Sequence, residues 1–266
     1  MLSTNDIFTL HPGSQALLLS LPHVGTHLPD DIKARLVDRA QAVEDTDWHL
    51  ERLYRFAREM GASVLVPRNS RYVIDLNRPP ENVPMYPGVN NTGLCPTQFF
   101  TGDALYREGQ APTEAEVAQR VQIFWRPYHE ALRAELKRLR AAHGHVVLFD
   151  GHSIKSELPW LFEGKLWDLN LGTAKGQSCA PALREALSQV LDRQSRYTHK
   201  VDGRFTGGHI TRHNGQPQQG IHAVQLEMCW STYMLEDAHF EWHDERAAQV
   251  QPVLRQLMQA MLDFRP

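Results

Sequence analysis

The stretch Val146-Val147-Leu148-Phe149-Asp150-Gly151-His152-Ser153 constrains this chain most. Four apolar residues, two of them β-branched, suit a strand buried on both faces. The run then turns polar within one step. In open α/β sheets the working groups sit just beyond the carboxyl ends of such strands. An Asp and a His two residues apart can there supply a metal ligand and its orienting partner. The plainer alternative is a strand-to-loop turn in which Asp150 caps the backbone and His152 is merely polar.

The rest of the chain supports one α/β unit. Its 266 residues, 42% hydrophobic and 22% charged, are enough for one large core. A net charge of −3 gives no reason to expect nucleic acid or an anionic membrane as partner. Cys95, Cys179 and Cys229 are far apart and odd in number, which argues against a disulfide framework and for reduced thiols. The longest apolar run near the N-terminus, residues 16–21, is too short to span a bilayer. A soluble, cytoplasmic protein is expected.

Strands are expected at 16–21, 62–67, 72–76, 146–149, 166–171 and 221–228, with helices at 30–42, 50–60, 113–143, 180–191 and 246–264. Pro127 should kink or divide the long helix. The Pro-, Gly- and Asn-rich stretch 81–112 has no periodicity and is read as an active-site flank or lid. Strand–helix alternation without repeats predicts a three-layer αβα domain over 1–266 around a mostly parallel or mixed sheet.

Three of these strands run into ionisable groups: His23 after Pro22, His152, and Glu227. The acidic cluster Glu44-Asp45-Thr46-Asp47 opens a helix and could face the same rim, or serve only as N-caps. Two His and one carboxylate with an open position make the usual catalytic zinc site. A carboxylate that is not a ligand then moves the proton, a role that suits Glu227, unless it is a salt-bridged edge residue. His27, beside Leu28-Pro29, looks like loop surface. Arg71, Arg78, Arg204 and Arg212 gather where a site would be, Arg71 and Arg212 in polar turns, and guanidinium is the bidentate partner of carboxylate. No G-x-S-x-G, Walker A, G-x-G-x-x-G or H-E-x-x-H motif occurs.

These residues resemble the N-formylglutamate amidohydrolase family. The matching pieces are Ser20 to Gly25, Glu44 to Trp48, Asn69 to Arg78, Asp150 to Ser153, Asp202 to Phe205, Gly207 to Arg212 and Gln225 to Met228. The resemblance implies a phosphorylase/hydrolase-like α/β fold, distantly similar to zinc carboxypeptidases. It implies metal-dependent hydrolysis of N-formyl-L-glutamate to formate and L-glutamate, the last step of one histidine-degradation route. His23, His152 and an acid within 44–47, Asp45 in preference to Asp47 or Glu44, become ligands of one Zn²⁺. Glu227 becomes the general base. Arg71, Asn77, Arg78 and Arg212 become candidates for holding the two carboxylates of a small anionic substrate. The competing readings are an aspartoacylase-like deacylase of another N-acyl amino acid and a non-catalytic binder of acidic metabolites.

Overall fold

In the computed structural model, which describes residues 6–83, 88, 90–237 and 239–266, His23, His152 and Glu227 lie on or just beyond strands of one sheet. The elements run β1 (Phe8–His11), β2 (Leu17–Ser20), α1 (Asp30–Lys33), α2 (Leu50–Leu53), α3 (Phe56–Glu59), β3 (Ser63–Pro67), α4 (Glu114–Arg120) and α5 (Arg126–His143). There follow β4 (Val146–Ile154), β5 (Leu169–Gly172), α6 (Pro181–Arg193), β6 (His199–Val201), α7 (His209–Asn214), β7 (Ile221–Cys229) and α8 (Asp244–Asp263). The sheet order is β1-β3-β2-β4-β7-β5-β6. The four central strands β3, β2, β4 and β7 are parallel, and β1 and β5 join antiparallel. The expected mixed α/β sheet is therefore present.

Side-chain alternation divides the core in two. Leu17, Leu19, Val147, Phe149, Val224 and Leu226 pack against α2, α3, α6 and α8. Leu18, Val146, Leu148 and Ala223 pack on the other face with Tyr128, Leu132, Leu136 and Leu139 of α5. Helices thus cover both faces, as three layers require. Following the second face along β4, the sequence changes from Val146 and Leu148 to Asp150 and His152, all buried. Core gives way to site within one strand.

Several local expectations are corrected. Residues 30–42 do not form one helix: after α1 the chain pairs with a neighbouring segment, Val37 N–H donating to Leu105 O and Arg107 N–H to Arg35 O. Only Asp38–Ala42 winds again, as a 3₁₀ turn. The 50–60 helix is two separate turns, α2 and α3. The 72–76 segment is a buried turn and no strand, because side chains take up its carbonyls. Arg120 Nη1 donates to Val73 O at 2.9 Å, and His129 Nε2 lies 2.9 Å from Leu76 O. The 113–143 helix divides near Pro127 as foreseen. Pro127 cannot donate to the carbonyl four residues back, and the chain loosens into a π-helical turn at Val121–Trp125. The edge strands β1 and β6 carry no alternating pattern strong enough to read in advance. Part of the 81–112 stretch, 84–87 and 89, lies outside the described residues.

Candidate active site

β2, β4 and β7 are consecutive in the sheet and parallel, so their carboxyl ends open on one rim. His23 sits on the turn after β2. His152 and Glu227 lie directly opposite each other in register on β4 and β7. Asp47 arrives from the loop before α2 and is tied on two sides: its N–H donates to His23 O at 3.0 Å, and its Oδ2 accepts from Ser153 N–H at 3.2 Å.

The side chains of His23, Asp47 and His152 converge and are all buried. The two Nδ1 atoms are 3.2 Å apart, and Asp47 Oδ2 lies 3.2 Å from His152 Nδ1 and 3.6 Å from His23 Nδ1. Asp75 Oδ1 sits 2.7 Å from His23 Nε2. A proton on that edge leaves Nδ1 as a bare lone pair facing inward. His152 Nε2 faces Asp150 Oδ1 at 3.1 Å, and that buried oxygen has no other hydrogen-bond partner. Both rings are thus backed by carboxylates, the arrangement that orients imidazole ligands. Two imidazole nitrogens and one carboxylate oxygen suit zinc and other divalent transition metals.

The acidic member of the group is Asp47, not Asp45. Asp45 points away, its Oδ2 accepting from Tyr72 OH at 3.0 Å and from Phe100 N–H at 3.1 Å. Glu44 is paired with Arg39. Two aspartates two residues apart on a tight turn look alike in sequence, and the turn's direction alone separates them.

The charges are strongly interdependent. Burial opposes the ionised form of Asp47, but the His23 and His152 imidazoles outweigh it and hold the carboxyl below its usual range. Burial likewise opposes the charge on Asp75, and His23 and Arg71 overcome it. Burial pushes the Glu227 carboxyl up, against the pull of the His152 imidazole. Among the described residues no hydrogen bond reaches the Glu227 carboxylate.

An open cavity of about 620 Å³, its mouth included, lies over these groups and is lined by Arg71, Arg78, Phe100, Leu161, Arg204 and Glu227 among others. Arg71 is buried; its Nη2 donates to Asp75 Oδ2 at 2.6 Å and its guanidinium stacks on Phe100. Arg78 also borders the cavity, but its Nε and Nη2 donate to Thr92. Asn77 lines the cavity too: its Oδ1 accepts from Ile210 N–H at 2.8 Å, and its amide nitrogen packs 2.8 Å from His152 Nε2. Arg212 does not line this cavity. It is exposed, donates to Thr206 Oγ1 at 2.9 Å and borders a separate cleft with Lys175 and Ser178. Arg204 takes its place on the wall. His27 is exposed, as expected.

Reading the sequence alone passes over Asp75 as a partner of His23. The spacing Arg71-x-x-x-Asp75-x-Asn77 was the available signal, since one buried turn delivers Arg71 and Asp75 to His23 and Asn77 to His152.

Comparison with known proteins places the chain among relatives of one family. Residues 15–234 match the family model described as N-formylglutamate amidohydrolase. The N-formylglutamate deformylase of Pseudomonas putida is 49% identical over 258 residues, covering 97% of this chain and 96% of that protein. The enzyme of the same name from Pseudomonas aeruginosa is 47% identical over 258 residues, with 97% of each chain covered. The crystal structure of N-formylglutamate amidohydrolase from Ralstonia eutropha JMP134 superposes with a TM-score of 0.80 at 25% identity, covering 97% of this chain and 96% of that one.

Proposed function

The chain belongs to the N-formylglutamate amidohydrolase family, and we propose that it hydrolyses the formamide bond of N-formyl-L-glutamate to L-glutamate and formate. The observation that carries this reading is the register of His152 and Glu227: it sets a carboxylate, without hydrogen-bond partners among the described residues, beside a three-donor group at the floor of one cavity.

His23, Asp47 and His152 would hold one divalent cation, with zinc best suited to the donor set. Such an ion, once bound, polarises a carbonyl oxygen and lowers the pKa of a neighbouring water. The protein's own groups do the remaining work. Glu227 takes a proton from the attacking water as its oxygen bonds to the formyl carbon. It delivers that proton to the amide nitrogen as the carbon–nitrogen bond breaks, and the second water proton passes from the new formic acid to the amine, so that formate and the ammonium form of the product leave. Arg71, beside the reacting end, receives the carboxylate next to the amide, and a guanidinium fork fixes its orientation as well as its charge. Arg78 braces the wall from which Asn77 steadies His152. Asp75 and Asp150 hold the two rings in their working orientation.

The whole 1–266 span then acts as one amidohydrolase domain in cytoplasmic histidine degradation. The three buried thiols, none of them in a disulfide, fit a reducing compartment. No helix among the described residues is long and apolar enough to cross a membrane.

The test is formate release from N-formyl-L-glutamate by the purified protein, before and after chelation and zinc restoration. Release that chelator abolishes and zinc restores is expected. Absence of formate from folded, metal-replete protein would overturn the assignment.

A further inference from the structure

We propose that Tyr233 is a positioning residue for Asp47: its hydroxyl fixes the backbone beside the carboxylate that completes the three-donor group. This role rests on the metal-binding reading above.

Of the three donors, Asp47 has the least support from the sheet. His152 lies on β4 and His23 on the turn after β2, whereas Asp47 comes from the loop before α2. The chain leaves that loop through His49, whose φ of 61° lies in the left-handed region. A non-glycine residue persists there where its neighbours hold it.

The segment after β7 supplies the hold. Tyr233 OH donates to Trp48 O at 2.8 Å, and His49 Nε2 donates to Phe240 O at 2.7 Å. The Trp48 and Phe240 rings stack with centroids 5.1 Å apart. Because the Tyr233 proton is committed to Trp48 O, its 2.7 Å contact with Ser153 is Ser153 Oγ donating to the phenol oxygen. Ser153 N–H in turn donates to Asp47 Oδ2 at 3.2 Å. Tyr233 and Ser153 therefore grip Asp47 from two sides, one through the next residue's carbonyl and the other through the carboxylate.

This grip shares a frame with the other site groups. Tyr233 follows the 3₁₀ turn Trp230–Thr232, directly after the strand that carries Glu227. Glu236 Oε1 accepts from Ser231 N–H at 3.1 Å and from Ser156 N–H at 2.8 Å, which ties the segment to the chain leaving β4. Tyr233 is fully buried, and a buried phenol with few torsions is a stiff strut. A metal donor has to be held to within about 0.5 Å, which a loop without such a strut does not achieve.

The experiment measures zinc affinity of the full-length protein by chelator competition, for wild type, Tyr233→Phe, Tyr54→Phe and His49→Asn. Thermal unfolding of the apo-protein and the visible spectrum of the cobalt-loaded form are recorded alongside. Tyr54 is the control: it is buried in the same core, and its hydroxyl donates to Met228 Sδ, away from Asp47. Tyr233→Phe should weaken zinc roughly tenfold, the lower end for loss of an outer partner, and shift the cobalt bands. Tyr54→Phe should keep wild-type zinc affinity and cobalt bands whatever its melting temperature. His49→Asn tolerates the left-handed backbone but is too short to reach Phe240 O. It should also weaken zinc, and it decides the matter if Tyr233→Phe does not fold. Wild-type zinc affinity in Tyr233→Phe overturns the proposal, as does an equal loss in Tyr54→Phe, which would make the effect one of core packing. If Tyr233→Phe is unfolded, wild-type affinity in His49→Asn overturns it. Folded wild type that takes up neither zinc nor cobalt defeats the metal-binding reading and this role with it, whereas metal-binding wild type beside an unaffected Tyr233→Phe defeats this role alone.

Discussion

Asp75 Oδ1 lies 2.7 Å from His23 Nε2, while Asp75 Oδ2 lies 2.6 Å from Arg71 Nη2. One fully buried carboxylate therefore orients both the His23 ring and the Arg71 guanidinium. Asp75 also accepts the N–H of Asn77 at 2.8 Å, which links it to the group packed on His152.

Asp75→Asn keeps the shape but loses the charge behind His23. Zinc affinity should fall about 10- to 100-fold, the usual effect of removing such a partner. Competition against a chromophoric chelator measures it, and circular dichroism should show the fold retained. Unchanged affinity would refute the pairing's role.

Asp47 and Asp45 should separate cleanly. Asp47→Ala is expected to abolish stoichiometric zinc in the purified protein. Asp45→Asn should keep it and instead lower stability by about 1–3 kcal/mol, because Tyr72 and Phe100 lose a charged acceptor. Metal analysis and urea unfolding, run on both variants, give the two readouts. The reverse pattern would restore Asp45 as the ligand.

Glu227→Gln should leave zinc bound and the fold intact while kcat falls about 10²- to 10⁴-fold, the range for loss of a general acid–base group. KM should change little, since Gln keeps the side chain's volume. A variant with near-normal kcat would remove Glu227 from proton transfer.

His129 supplies a pH dependence away from the site. It is buried under Trp125, with ring centroids 3.7 Å apart, and burial pushes its imidazole down to about 3. The folded state thus binds fewer protons than the unfolded state between pH 6.5 and about 3, and stability falls as pH drops through that window. The slope should approach about 1.4 kcal/mol per pH unit below pH 6. Denaturant unfolding at pH 7 and pH 5 should show that loss in wild type and much less of it in His129→Gln. Equal losses in both would assign the acid sensitivity elsewhere.

Gly208 marks a close approach. A Cβ there would stand 2.4 Å from Asn77 Nδ2, so Gly208→Ala must push Asn77 off His152. Overpacking of this kind costs about 1–3 kcal/mol. Thermal unfolding and zinc titration should both register the change; a silent substitution would mean that Asn77 has room to spare.

The sequence alone determined the sheet's central strands, the three-layer order, and His23, His152 and Glu227 as rim residues. Each of those readings rests on local physics: an apolar run long enough to cross the sheet, followed by polar residues that cannot stay in the core. Only the tertiary structure decided which acid joins the two histidines and which arginines line the cavity. Asp45 and Asp47 share one turn, whereas Arg204 lies on the loop after β6 and Arg212 inside α7. A side chain's direction on such a turn is set by bonds to distant segments. For Asp47 these are His23 O and Ser153 N–H; for Arg204 it is Leu161 O. The same holds for 72–76, whose strand-like composition yields to side chains of α4 and α5 that take its carbonyls. Periodicity reports what a segment buries, whereas long-range hydrogen bonds decide where its polar groups point.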